Sequence, residues 1–198
     1  MSELASALAS LLGRLAHHEA RFAVVGGLAV SARTQPRFTR DADVCVATAG
    51  DRESESLVRS LQADGYRVVA LVEQETTGRL ATVRLAARED IDAGVLLDLL
   101  FASSGIETEV VDAADRMELF EGIDAPIATV PSLIALKVLS RDDTTRPQDR
   151  VDLVELLAIA DSHEITEAGR LLGLIEERGF ARGRDLAASL ETLQAELG

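Results

Sequence analysis

Residues 24–29 read Val24-Val25-Gly26-Gly27-Leu28-Ala29, and residues 37–46 read Arg37-Phe38-Thr39-Arg40-Asp41-Ala42-Asp43-Val44-Cys45-Val46. The first stretch closes an apolar run that begins at Phe22 and stops at a Gly-Gly pair, the pattern of a buried strand entering a tight turn. Leu28 to Arg33 then resumes with helical spacing. The second stretch alternates carboxylates with small apolar residues. As a strand it places Asp41, Asp43 and Cys45 on one face and Ala42, Val44 and Val46 on the other, which is the core face. A glycine turn at a helix start offers N–H groups and close backbone approach to a phosphate. Two carboxylates one residue apart offer hard oxygen ligands to a divalent cation. Neither G-x-x-x-x-G-K-[ST] nor G-x-G-x-x-G is present, so the turn is neither a Walker loop nor a dinucleotide fingerprint.

Around this core the chain divides into two parts. Leu4, Leu8, Leu11, Leu12 and Leu15 recur at helical spacing over residues 3–19, with His17 and His18 as polar residues at the helix end, favoured there by the dipole. Asp51 to Gly65 reads as a helix ended by its glycine. Tyr66 to Val72, Leu80 to Ala86 and Gly94 to Phe101 read as strands, Ile106 to Ala114 as a helix, and Met117 to Phe120 and Ile127 to Val130 as short strands. Pro131-Ser132 opens a helix through Leu139, and a polar loop, Arg141 to Pro147, follows. Gln148 to Ala160, Ile165 to Arg178 and Arg184 to Leu197 complete a helical part. The expected fold is α/β of the α+β kind: a mixed sheet with flanking helices over residues 1–130, then a C-terminal helical bundle over residues 131–198.

Composition narrows the functional classes. The chain has 198 residues, 47% of them hydrophobic, enough for one globular core. Its single cysteine, Cys45, can form no internal disulfide and suggests a reducing, cytoplasmic setting. The Met1-Ser2-Glu3-Leu4 start lacks the features of a signal peptide, and no run is long enough to span a bilayer, so no membrane role is expected. The formal net charge is −14, with 12 basic and 21 acidic residues in 1–130 and 8 and 13 in 131–198. A nucleic-acid surface must therefore be local, and the two local groups are Arg33, Arg37 and Arg40, and Arg79, Arg84 and Arg88.

Two lone charges stand out. Asp98 lies in Val95-Leu96-Leu97-Asp98-Leu99-Leu100-Phe101, where a buried carboxylate costs several kcal/mol unless paired or bound to metal. Lys137 is the only lysine among 20 basic residues and sits on an otherwise apolar helix. A compact ammonium of this kind suits a phosphate as a point charge. Metal-assisted phosphoryl or nucleotidyl transfer uses carboxylates to hold two ions roughly 3.5–4 Å apart. Asp41, Asp43 and Asp98 form the expected set, and oxygen ligands without His or Cys suit Mg²⁺ or Mn²⁺ rather than Zn²⁺.

The joint order, apolar strand, Gly-Gly, helix, then Arg-x-Thr-x-Asp-x-Asp, resembles the nucleotidyltransferase superfamily, and within it the AbiEii-type toxins of abortive-infection and toxin–antitoxin systems. The residues that carry the likeness are Gly26, Gly27, Leu28 and Ala29, then Arg37, Thr39, Asp41 and Asp43. Downstream, Pro131-Ser132 with Leu136-Lys137, and Arg146-Pro147-Gln148-Asp149 with Asp152, extend it. Ala42 departs from the larger aliphatic residue usual in the family, which leaves the ligands intact. The resemblance implies transfer of an NMP from an NTP to an acceptor hydroxyl of tRNA or other RNA, protein or a small molecule. It also implies nucleotide contacts from Gly26, Gly27, Arg37, Thr39 and Lys137, an acid or base at Asp149 or Asp152, and a cognate antitoxin protein. Two alternatives share the fold: a catalytically silent nucleotide- or protein-binding member, and an antibiotic-type enzyme whose cationic substrates would suit the acidic chain.

Overall fold

The computed structural model describes residues 2–74, 78–87, 95–142, 144 and 147–197. Met1, Arg88, Gly94 and Arg146, named above, and part of the loop from Arg141 to Pro147 lie outside the described residues. In chain order the elements are α1 (Glu3–His17), β1 (Arg21–Val25), α2 (Gly26–Arg33), β2 (Asp41–Ala47), α3 (Asp51–Ala63), β3 (Tyr66–Glu73), β4 (Leu80–Ala87) and β5 (Leu96–Leu100). Then come α4 (Glu107–Asp112), β6 (Asp115–Phe120), β7 (Ile123–Ile127), α5 (Val130–Ser140), α6 (Pro147–Ile159), α7 (Ser162–Glu177) and α8 (Leu186–Leu197).

Among the described residues the seven strands form one mixed sheet in the order β3-β4-β5-β2-β1-β7-β6. β1 runs antiparallel to β2 and parallel to β7, while β2 runs parallel to β5. Antiparallel β4 and β3 extend one edge and β6 the other. The expected mixed α/β fold is therefore the one observed. The run Ile127 to Val130, expected as a strand, is divided: β7 ends at Ile127 and Val130 already belongs to α5. Pro131 explains the break, because its fixed φ suits the first turn of a helix and it cannot donate to a sheet ladder.

Local chemistry sets the helix ends. Ser2 caps α1 by accepting from Ala5 N at 3.2 Å, and Asp161 with Glu164 forms a capping box on α7. The leucine stripe of α1, Leu8, Leu11, Leu12 and Leu15, is buried against the sheet region as its spacing required. His18 makes a more specific contact than the helix dipole, with Nε2 at 2.7 Å from Asp64 Oδ2. One buried cluster runs from Ala7 to Leu193, so the helices α5 to α8 share their apolar contacts with the sheet. Cys45, on the same strand face as the aspartates, is also buried, and its Sγ donates to the Glu107 carbonyl at 3.8 Å. Burial pushes its thiol well above the ordinary range, followed by the charge of Glu107. Among the described residues no helix is long and apolar enough to cross a membrane.

Candidate active site

The sheet register builds the site. On β2 and β5, Asp43 stands beside Asp98, and on β5 and β4, Asp98 stands beside Arg84. The three side chains therefore form one row across three strands, on one face. Arg84 meets the demand that Asp98 poses in its apolar strand: Nε donates to Oδ1 at 2.8 Å and a terminal nitrogen to Oδ2 at 2.6 Å. This bidentate bond, helped by the charges of Asp98, Asp41 and Asp43 and opposed by burial, raises the Arg84 pKa further above its already high value. The signal for the pair was present in the sequence, since Arg84 is as isolated in its apolar strand as Asp98 is.

Asp43 is also the reason for a glycine at the turn. Gly26 has φ of +65°, the left-handed region, and a Cβ there would overlap the Asp43 carboxylate. Gly27 has a different role, because a Cβ on it would come within 2.6 Å of an Arg37 guanidinium nitrogen. Arg37 is thereby laid under the start of α2 and donates to Asp152 Oδ2 at 2.8 Å, while its Nε is buried without a partner among the described residues. Thr39 Oγ1 donates to the Asp41 carbonyl at 3.3 Å and shapes its own loop.

Across from the sheet, Lys137 on α5 is held by two acids of α6. Its Nζ donates to Asp149 Oδ1 at 2.6 Å and lies 2.7 Å from Asp152 Oδ2. Ser140 Oγ donates to Asp149 Oδ2 at 3.0 Å, and Gln148 Nε2 to Asp152 Oδ1 at 3.2 Å. Both acids are buried, Asp152 completely, and Asp149 lines the cleft. Burial by itself would raise the Asp152 carboxyl, yet Lys137, Arg37 and Gln148 together hold it below the usual aspartate range.

Between these walls lies a cleft of about 860 Å³. Gly26, Asp43, Asp98, Lys137 and Asp149 all line it, so five of the expected site residues converge. Asp41 sits two residues before Asp43 on the same strand face and is partly exposed. Gly27, Arg37 and Thr39 are not among the described lining residues and act through the contacts just given. Outside the site motifs, Arg84, Ser140, Arg141, Asp142, Arg182 and Arg184 also line it. Sequence spacing carried no signal for Arg182 or Arg184, which reach the cleft only through the packing of the α7–α8 connection.

Among the described residues of the two arginine groups, most side chains are tied to acids or carbonyls. Arg33 donates to Asp115 and to the carbonyls of Ile127 and Ala128, Arg37 is bonded to Asp152, and Arg40 lies 5.9 Å over the Phe38 ring. Arg79 pairs with Asp51 and Arg84 with Asp98.

A hard divalent cation suits the donor chemistry of Asp41 and Asp43. Asp98 has both oxygens on Arg84, and among the described residues no three His, Cys, Asp or Glu side chains are grouped closely enough to hold an ion. As a ligand beside Asp41 and Asp43, Asp98 would share its carboxylate with the Arg84 guanidinium.

The family model for "Nucleotidyl transferase AbiEii toxin, Type IV TA system" matches residues 10–197. The chain belongs to the AbiEii nucleotidyltransferase family. No curated protein sequence matches it. Among solved structures, an antigenic nucleotidyltransferase-like protein from Paracoccidioides brasiliensis is similar with a TM-score of 0.53 at 18% identity, covering 96% of this chain and 92% of that one. The lincosamide antibiotic adenylyltransferase LnuA, solved with lincomycin bound, is similar with a TM-score of 0.51 at 15% identity, covering 81% and 99%. At such identities the likeness is one of fold, and it agrees with the mixed sheet and flanking helices of this AbiEii family member.

Proposed function

We propose that this protein transfers an NMP from an NTP to an acceptor hydroxyl, as the toxin-like partner of a cognate antitoxin. The observation that carries the reading is the convergence, in one cleft, of the Asp43–Asp98 row under the Gly26 turn with Lys137 and Asp149 on the facing helices. Asp41 and Asp43 would hold Mg²⁺, or Mn²⁺ in its place, which when bound neutralises phosphate charge. The start of α2 offers backbone N–H groups to the triphosphate, and Lys137 offers its ammonium. The acceptor oxygen forms a bond to the α-phosphorus as the bond to the bridging oxygen breaks, and pyrophosphate leaves with that electron pair. Asp149, which borders the cleft, takes the acceptor proton; Asp152 is buried behind it and holds Lys137 and Arg37 in place. The enzyme's contribution is then positioning and fixed charge.

Incubation with labelled NTPs and cellular RNA, followed by detection of labelled RNA and released pyrophosphate, tests this. Asp41→Ala should abolish transfer with the fold intact. Transfer at the wild-type rate in that variant would refute the assignment. The reading as a silent binding module draws on one observation, the full engagement of Asp98 by Arg84, and it predicts NTP binding by calorimetry with no product from the wild type.

A further inference from the structure

We propose that Arg182 is a phosphate-binding residue at the rim of the cleft, presented by the turn between α7 and α8. The proposal rests on the nucleotidyl-transfer reading and adds to it a contact outside the motif residues.

The turn itself does not ask for arginine. Arg184 N donates to the Ala181 carbonyl at 3.0 Å, and the two central residues, Arg182 and Gly183, have φ of 54° and 72°. Two positive φ values in a closed four-residue turn are the pattern of a type I′ turn, whose first central position favours Asn, Asp or Gly. An arginine there carries the steric cost of the left-handed region, so the turn geometry alone gives no reason for its side chain.

The turn is also firmly placed. Arg184 donates to the Leu139 and Arg141 carbonyls at 3.1 Å each, and to that of Val138, covering the end of α5. On the other side of the turn Phe180 is buried, its ring lying over Gly105 where a Cβ would come within 2.5 Å of it. Arg182 projects from this fixed support, exposed, into the cleft that holds Asp43, Asp98, Lys137 and Asp149. Among the described residues it makes no ion pair, while Arg84 and Lys137 on the same cleft are each bonded to carboxylates.

Charge points to the kind of ligand. The described lining of the cleft carries five cationic side chains against four carboxylates, inside a chain of net charge −14. With Arg84 held by Asp98 and Lys137 by Asp149 and Asp152, Arg182 stands as a cation without an ion pair among the described residues, and a guanidinium matches phosphate oxygens with two parallel N–H donors. The phosphate belongs either to the triphosphate of the nucleotide or to the backbone of a polynucleotide acceptor.

Calorimetric titration separates these sources without depending on turnover. Wild type, Arg182→Gly and Arg182→Lys are each titrated with inorganic tripolyphosphate, with Mg·ATP and with a short single-stranded RNA. Glycine keeps the left-handed backbone, so the Arg182→Gly variant should fold at least as stably as wild type. A loss of about tenfold or more for tripolyphosphate and ATP places Arg182 on the nucleotide, and the same loss for RNA places it on the acceptor. Lysine should restore part of either affinity. Affinities within about twofold of wild type for all three probes would overturn the role of Arg182 while leaving the transfer reading standing. A wild type that binds none of the three would overturn both.

Discussion

Arg84 and Asp98 stand opposite each other on adjacent antiparallel strands, and the guanidinium bonds both carboxylate oxygens, at 2.8 and 2.6 Å. The pair is one-sided in its exposure: the Asp98 side chain is 10% exposed and that of Arg84 39%. Removing the arginine would leave a carboxylate in an apolar strand with its charge uncompensated. The partial exposure of Arg84 brings the cost below that of a fully buried pair, to about 1–3 kcal/mol. Arg84→Met should lower the melting temperature by several degrees, about 2–4 °C per kcal/mol at this chain length, and adding Asp98→Asn should recover much of it. Equal and additive losses in the double-mutant cycle would show that the two groups do not support each other.

Gly26→Ala is expected to be disproportionately harmful to catalysis. The methyl must enter space held by the Asp43 carboxylate, and the backbone at φ of +65° disfavours any side chain. If Asp43 holds metal as proposed, a displacement of its carboxylate near 1 Å costs about 100-fold in rate, while the backbone strain itself is only about 1–2 kcal/mol. Labelled-nucleotide transfer compared with thermal melting separates the two effects.

Asp152 gives a pH dependence with a defined sign. Its carboxyl is held below the ordinary aspartate range in the folded chain, so it contributes stability above the unfolded value, near pH 3.9, and loses it as the pH falls through the lowered folded value. Melting temperature between about pH 7 and 3 should fall on the acid side for wild type. Asp152→Asn should show a lower plateau and a shallower acid limb. An unchanged acid limb would assign the acid sensitivity to other carboxylates.

At position 182 stability and chemistry are expected to oppose each other. Arg182→Gly relieves the left-handed strain but adds freedom to the unfolded chain, for a net gain of up to about 1 kcal/mol. A loss well beyond the roughly 1 kcal/mol that unfolded-state freedom can account for would mean that the arginine side chain supports the turn.

The fold was legible where side-chain periodicity and backbone chemistry coincide. Asp41 to Val46 announced its strand by alternation, and Gly26 announced a turn that its φ of +65° bears out. The misread stretch, Ile127 to Val130, is only four residues long and mostly apolar, so periodicity could not separate a strand end from a helix start. Of the site, Asp98 and Lys137 were visible because each is a lone charge in an apolar run. Their partners were harder to read. Asp152 is buried and Asp149 borders the cleft although both lie on α6, a distinction set by what α6 packs against. The position of Arg182 depends on long-range packing of Phe180 and Arg184, for which no local spacing exists.

The bond from Arg37 to Asp152, which in turn holds Lys137, has a kinetic consequence. Arg37 belongs to the loop that feeds β2, and Lys137 to the facing helix, so a fully buried carboxylate joins the two walls of the cleft at its base. Walls joined in this way do not need to swing together around a substrate. The cost of bringing the aspartates and the ammonium into one frame is met during folding, and substrate encounters a cleft of settled width.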